Sequence, residues 1–285
     1  MEKSYQQLQD ERQEIRDRYP QVSFPDPVIE PIWWGRRHQN LVSGMKAIVD
    51  QKTGRVFNVC SEQYKIVHYE DVIYMAEEVV ATLHGYGQIV LHPYLYADGG
   101  KMKLTLKFPE AQHLINRDAI VPKMDIFTSL DLSYKLLGKF GAFVLRCTNG
   151  MGVWKHFRQF ARKHLLNLNL SDLKQTITEG LSIFGFQVDV WKKWTEQVID
   201  LKEYNEIWQF LPFSGSEKER IEFLPEISTG RTISESLKGK DLTLWSLNSI
   251  LTQFVTHEVK SELRRNAIEP EIAQIMEETS YRLAA

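Results

Sequence analysis

Between Lys135 and Lys174 the chain carries eight lysines and arginines: Lys135, Lys139, Arg146, Lys155, Arg158, Arg162, Lys163 and Lys174. A single acid, Asp172, lies among them. Aromatic residues interleave with the bases: Tyr134, Phe140, Phe143, Trp154, Phe157 and Phe160. Cations that follow a phosphate backbone and rings that take bases by stacking are the two components of a single-strand nucleic-acid site. The whole chain has a formal charge of −2, so attraction to a polyanion must come from a local patch. From residue 200 onward fifteen acids stand against ten bases. That asymmetry fits a near-neutral protein with one anion-binding face. The pattern turns helical from Met151, which places Arg158 and Arg162 on one face, with Lys155 extending the row. Two other readings stay open: a solvated helix face over core aromatics, and a surface for a protein partner.

A second candidate surface has the clearest alternation in the chain. Ile89 to Tyr96 and Lys101 to Phe108 read as two strands joined by Ala97-Asp98-Gly99-Gly100, whose residues tolerate the positive φ of a tight hairpin turn. A four-residue loop sets Tyr96 opposite Lys101, Tyr94 opposite Lys103 and His92 opposite Thr105. One face then holds Leu91, Leu95, Met102, Leu104, Leu106 and Phe108. The other presents Tyr94, Tyr96, Lys101, Lys103 and Lys107, expected to be exposed, because a one-residue slip would bury the lysines. Pro93 marks its strand as an edge or a bulge.

Other chemistry is not encoded in recognisable form. The chain has no phosphate-binding loop, no dinucleotide fingerprint and no Gly-x-Ser-x-Gly. The eight histidines are scattered and lack the His-x-x-x-His spacing that sets two imidazoles on one helical face. The two cysteines, Cys60 and Cys147, form no Cys-x-x-Cys pair, which fits a reducing compartment. Cys147 beside Arg146 reads as a small buried residue, and Asp125 and Asp131 as solvated or capping acids. We expect no catalytic residue, metal or cofactor. No apolar run approaches a membrane span, and Met1 to Arg18 is mixed in charge, unlike a secretory signal. The expectation is a cytoplasmic protein with no membrane partner.

The elements that must position these surfaces give an α+β fold, with a twisted, mainly antiparallel sheet, helices on one face and a helical C-terminal part. Residues 1–32 read as an N-terminal helical arm, loose on the surface, and a Pro-rich linker. Residues 33–170 form the α+β core and 171–285 the helical part. Short strands flank the turn Asp50–Gly54, and residues 70–84 are helical. A long helix capped by Ser171 or Asp172 reaches about residue 204, with the seam Leu173, Ile177, Leu181, Phe184, Val188, Trp191 and Val198. That seam and the N-terminal arm predict self-association into a homo-oligomer. Residues 212–240 read as loop, 241–265 as a helix, and a short helix follows Pro270.

The run Phe143-Val144-Leu145-Arg146-Cys147-Thr148-Asn149-Gly150-Met151 reads as a buried strand stopped by a structural Asn-Gly turn. Upstream, Phe127-Thr128-Ser129-Leu130-Asp131-Leu132-Ser133 reads as a strand entering a polar turn. Together with Lys46–Asp50, Gly54–Phe57, Tyr64–His68, Leu244–Asn248 and Thr256–Glu258, these runs resemble the core signature of a phage- and plasmid-borne family, domain of unknown function 932. Members often carry a Ser-His-Asp-Gly-type turn where this chain has Ser129-Leu130-Asp131-Leu132, so chemistry resting on that histidine is not carried over. The resemblance implies a mobile element and no established activity. The layout is also similar to that of ring-forming single-strand annealing proteins. The expected function is DNA binding, single-stranded by preference, in replication or recombination. An inhibitor of a host defence enzyme and a nucleic-acid enzyme with an unrecognised site are the alternatives.

Overall fold

The computed structural model of the chain describes residues 4–35, 40–116, 118–144, 150–151, 159–162 and 170–284. The architecture is α+β, with antiparallel sheets followed by a helical C-terminal part. The chain divides into two compact units. The first comprises Met1–Lys107, Met124–Lys139 and Gln159–Ile177; the second comprises Phe108–Lys123, Phe140–Arg158 and Thr178–Ala285.

In the first unit, helix α1 (Tyr5–Arg18) starts at a capping box formed by Ser4 and Gln7. It buries one residue, Ile15. Its attachment to α2 (Tyr69–Ala81) is a row of ion pairs. Arg12 grips both carboxylate oxygens of Asp71 at 2.7 Å, Arg16 meets Glu70 at 2.7 Å, and Arg18 meets Glu77. The N-terminal helix is therefore docked, not loose, because each arginine finds an acid. Part of the expected linker is strand as well. Strands β1 (Pro27–Trp34), β2 (Asn40–Asp50) and β3 (Val56–Ser61) form an antiparallel sheet in that order. The prolines Pro27 and Pro31 sit on its edge strand, where a missing N–H is tolerated.

Strands β4 (Val90–Tyr96) and β5 (Lys101–Lys107) make the expected hairpin in the expected register: Tyr96 opposite Lys101, Tyr94 opposite Lys103, His92 opposite Thr105. They join strands β6 (His113–Ile115), β7 (Asp118–Ser129), β8 (Leu136–Val144), β9 (Gly150–Met151) and β10 (Gln159–Arg162) in a larger sheet. Its order is β10-β8-β7-β5-β4, with β6 beside β7 and β9 beside β8. The boundary between the units falls inside β7 and β8.

The second unit is built around rings. Phe108 lies 6.0 Å from Phe140, Phe184 lies 6.2 Å from Trp191, and Trp191 lies 6.3 Å from Trp245. Helix α3 (Leu170–Trp194) approaches β8 so closely that a Cβ on Gly180 would stand 2.4 Å from the Phe140 ring. Gly180 is therefore the residue that lets helix meet strand. The seam from Leu173 through Ile177, Leu181, Phe184 and Val188 to Trp191 is buried within the chain itself, whereas Val198, expected to continue it, lies past the helix end and is exposed. Those residues are not a free surface for a second copy, which removes the seam as a ground for self-association.

Helix boundaries differ from expectation where caps intervene. The long helix ends at Trp194, and α4 (Leu201–Phe210) restarts at Asp200, whose side chain accepts from the Glu203 amide at 2.8 Å. The segment read as loop holds α5 (Gly215–Glu222) and α6 (Ile233–Gly239). Helix α7 (Leu244–Glu258) stops before Ser261, which caps α8 (Glu262–Leu283) by accepting from the Arg264 amide. The last helix runs through Pro270.

Candidate nucleic-acid interface

Alternation along β5 sends Met102, Leu104 and Leu106 into the core, each fully buried. The opposite face carries Lys101, Lys103, Thr105 and Lys107, and across from them on β4 stand Tyr96, Tyr94 and His92. Tyr94 and Tyr96, two apart on one strand, stack with centroids 5.8 Å apart and planes 14° apart. Tyr94 is 61% exposed. The face is thus a stacked tyrosine pair flanked by a lysine row.

Two features differ from the expected surface. Tyr96, Lys101, Lys103 and Lys107 are half-buried, not exposed, and Leu91 and Leu95 are half-buried, not core. For Lys101 the reason is explicit. Its Nζ sits 3.5 Å from Asp131 and 5.1 Å from the Tyr134 ring centroid, so residues after β7 cover it. An edge strand explains the leucines, since β4 has a neighbour on one side only.

The face also extends further than the hairpin. The Tyr134 ring lies 6.0 Å from that of Phe127, and Lys139 from β8 places its Nζ 5.9 Å from the Phe127 ring. Rings and cations therefore alternate from Lys101 through Tyr134 and Phe127 to Lys139, although the Phe127 ring itself is buried and offers no surface. Charge counting found Lys139 and Tyr134 but did not join them to the hairpin. The missing signal was strand pairing, which brings β8 and β7 beside β5.

Acids punctuate this row. Asp125 accepts from the Thr105 hydroxyl at 2.6 Å. Asp131 accepts from the Ser133 hydroxyl at 2.5 Å and its amide at 3.0 Å. Burial opposes the Asp131 charge, but these Ser133 donors and Lys101 outweigh it and hold the carboxyl below its ordinary range. Asp131 is therefore a turn-holding acid. Partial burial, reinforced by Lys107, pushes the His92 imidazole below its ordinary value.

Of the basic stretch, Arg146, Lys155, Arg158 and Lys163 lie outside the described residues, as do Cys147 and Asn149. Arg162 ends β10, opposite Leu136 of β8. Residues 150–151 and 159–162 are strand, not the helix expected from Met151. Pairing with β8 overrides the local helical pattern. The helical row of Arg158 and Arg162 is thereby withdrawn.

Among the described residues, no cluster of three or more His, Cys, Asp or Glu is arranged to hold a metal, and no helix is long and apolar enough to cross a membrane. No family model, curated protein or solved structure matches the chain.

Proposed function

We propose that this chain binds single-stranded nucleic acid, DNA by preference, on the polar face of the β4–β5 hairpin. The observation that carries the reading is the Tyr94–Tyr96 stack with Lys103 and Lys101 directly across the strand pair. Stacked, partly exposed rings offer bases a π-face of any sequence, and the lysines offer phosphates a counter-charge. Lys107 and Lys139 lengthen the same positive row. Arg146, Lys155, Arg158, Arg162 and Lys163 add to the local positive charge in sequence. A mobile-element setting rests on the resemblance alone, which carries no activity of its own.

The test is a mobility-shift series with single- and double-stranded oligonucleotides at two salt concentrations. Binding should favour single strands and weaken with salt, with a log–log slope of about −0.7 per phosphate contacted. Tyr94→Ala should cost about 1–3 kcal/mol of binding. Absence of salt-dependent binding at either concentration would discard this reading and leave the protein-interaction module ahead.

A further inference from the structure

His92 stands two residues before Tyr94 on β4, so the two share the polar face of the hairpin. Both side chains are exposed, while Tyr96, which stacks on Tyr94, is half-buried. Imidazole is among the rings that take a base by stacking. Alternate residues of a strand lie about 6.4–6.8 Å apart. Neighbouring bases in a helical strand rise only about 3.4 Å. A base on Tyr94 and the next base on His92 are therefore drawn out of their mutual stack, with the strand extended about twofold. An unpaired strand reaches that spacing, whereas a base-paired one keeps its rise.

The imidazole also brings chemistry that the phenol rings lack. Thr105 lies directly across the strand pair, and its hydroxyl donates to Asp125 of β7 at 2.6 Å. Lys103 and Lys107 flank Thr105 on β5, diagonal to His92, and Lys107 is the cation that acts on the imidazole. Among the described residues, β5 is the one strand paired with β4. Partial burial and Lys107 both oppose a charge on His92. A phosphate seated at Lys107 reverses the second effect, because an anion within about 4–6 Å favours the cationic ring. The ligand thus brings with it the condition for protonation.

We propose that His92 is a further contact of this site, taking the base next to the one on Tyr94 and gaining a proton as the phosphate binds. The inference rests on the single-strand reading above and adds to it a residue and a pH dependence. The bound imidazole titrates higher than the free one. The gain in affinity is therefore complete below the free value and is lost as pH rises through the bound value. One proton sets the limit, at most about tenfold in affinity per pH unit.

The experiment follows binding of labelled oligothymidylate by anisotropy at fixed ionic strength, between about pH 8 and about pH 5.5, a range that brackets the ordinary imidazole value. Parent protein should bind more tightly toward the acid end. His92→Phe keeps a stacking ring and removes the charge. It should match the parent at the alkaline end and lose most of the acid gain. His92→Ala should bind about fivefold or more weakly than the parent at the alkaline end as well. Both variants should keep the parent melting temperature, because the side chain is exposed. If His92→Phe retains the acid gain, the proton goes elsewhere and the proposal fails. If His92→Ala binds like the parent at the alkaline end while Tyr94→Ala binds weakly, the proposal fails and the hairpin reading stands. If the parent binds at no pH in the range, both fail.

Discussion

The turn Asp50-Gln51-Lys52-Thr53-Gly54-Arg55 and the turn Glu226-Ile227-Ser228-Thr229-Gly230-Arg231 share an acid-x-x-Thr-Gly-Arg pattern. They fold alike in unlike surroundings. One links two strands and the other links α5 to α6. In each, the acid's backbone amide donates to the arginine carbonyl, at 2.8 and 2.9 Å. The glycine amide returns to the acid's carbonyl, at 2.8 and 2.7 Å. The threonine hydroxyl donates to the acid's carboxylate, at 2.7 and 2.8 Å. The glycines sit at φ +72° and +70°. Both arginines then reach away to secure a neighbouring turn. Arg55 donates to the carbonyls of Asp98 and Ala97. Arg231 bonds Asp241 and the carbonyl of Glu235. The difference lies in the acid. The shorter Asp50 accepts the Asp26 and Lys52 amides, whereas the longer Glu226 accepts the hydroxyls of Ser228 and Thr229. One pattern therefore sets the turn; both acids take the threonine hydroxyl, and Asp50 adds two backbone amides where Glu226 adds the Ser228 hydroxyl.

Asp50→Ala should be the most damaging change, at about 3 kcal/mol, because buried donors including two backbone amides lose an ionised acceptor. Chemical denaturation measures it. The effect should also depend on pH. Burial opposes the Asp50 charge, but the Asp26 amide, the Thr53 hydroxyl and the Lys52 amide outweigh it and lower its pKa. A depressed carboxylate stabilises fully above its unfolded value and loses that contribution as pH falls through the folded value. The gap between parent and Asp50→Ala should therefore narrow on acidification below the ordinary carboxylate range. A gap that is constant down to strong acid would show that the charge is unimportant.

Glu226→Ala should cost less, about 2 kcal/mol, since the two hydroxyls it leaves can turn toward other acceptors. Equal losses at the two acids would mean that the identity of the donor does not matter. Gly54→Ala and Gly230→Ala should each cost about 1 kcal/mol, from left-handed backbone alone. Nothing lies within 4 Å of an added Cβ at either position, so the two values should agree. Disagreement between them would break the equivalence of the turns. Thr53→Val and Thr229→Val should have the smallest effects, about 0.5–1 kcal/mol each, read as a shift in melting temperature.

Local chemistry of this kind is legible in sequence. The hairpin register followed from alternation and a four-residue turn, and the structure reproduces it. Other local signals were present and went unread. The pattern Asp200-x-x-Glu203 precedes α4, Ser214-x-x-Glu217 precedes α5 and Thr232-x-x-Glu235 precedes α6. The last two boxes announced helices where loop was expected, and the first a restart where one unbroken helix was expected. What lay beyond local reading was the partner of each surface. Burial of Lys101 depends on Asp131 and Tyr134, some thirty residues away in sequence. Residues 159–162 became strand because β8 offered an edge. Of the candidate interface, the tyrosine–lysine face was visible as a pattern, while its extension to Lys139 required knowing which strands are neighbours.

The charged attachment of α1 bears on how the chain is made. Arg12 waits 59 residues for Asp71, and Arg16 waits 54 for Glu70. During synthesis the helix emerges well before anything it can dock on. A segment with a broad apolar stripe would be exposed throughout that interval, inviting premature association with other emerging chains. This one hides a single isoleucine, so it can remain hydrated until α2 forms. Its late docking then supplies the counter-ion that Glu70, 1% exposed, requires. The order of translation thus favours a helix held by charge over one held by oil.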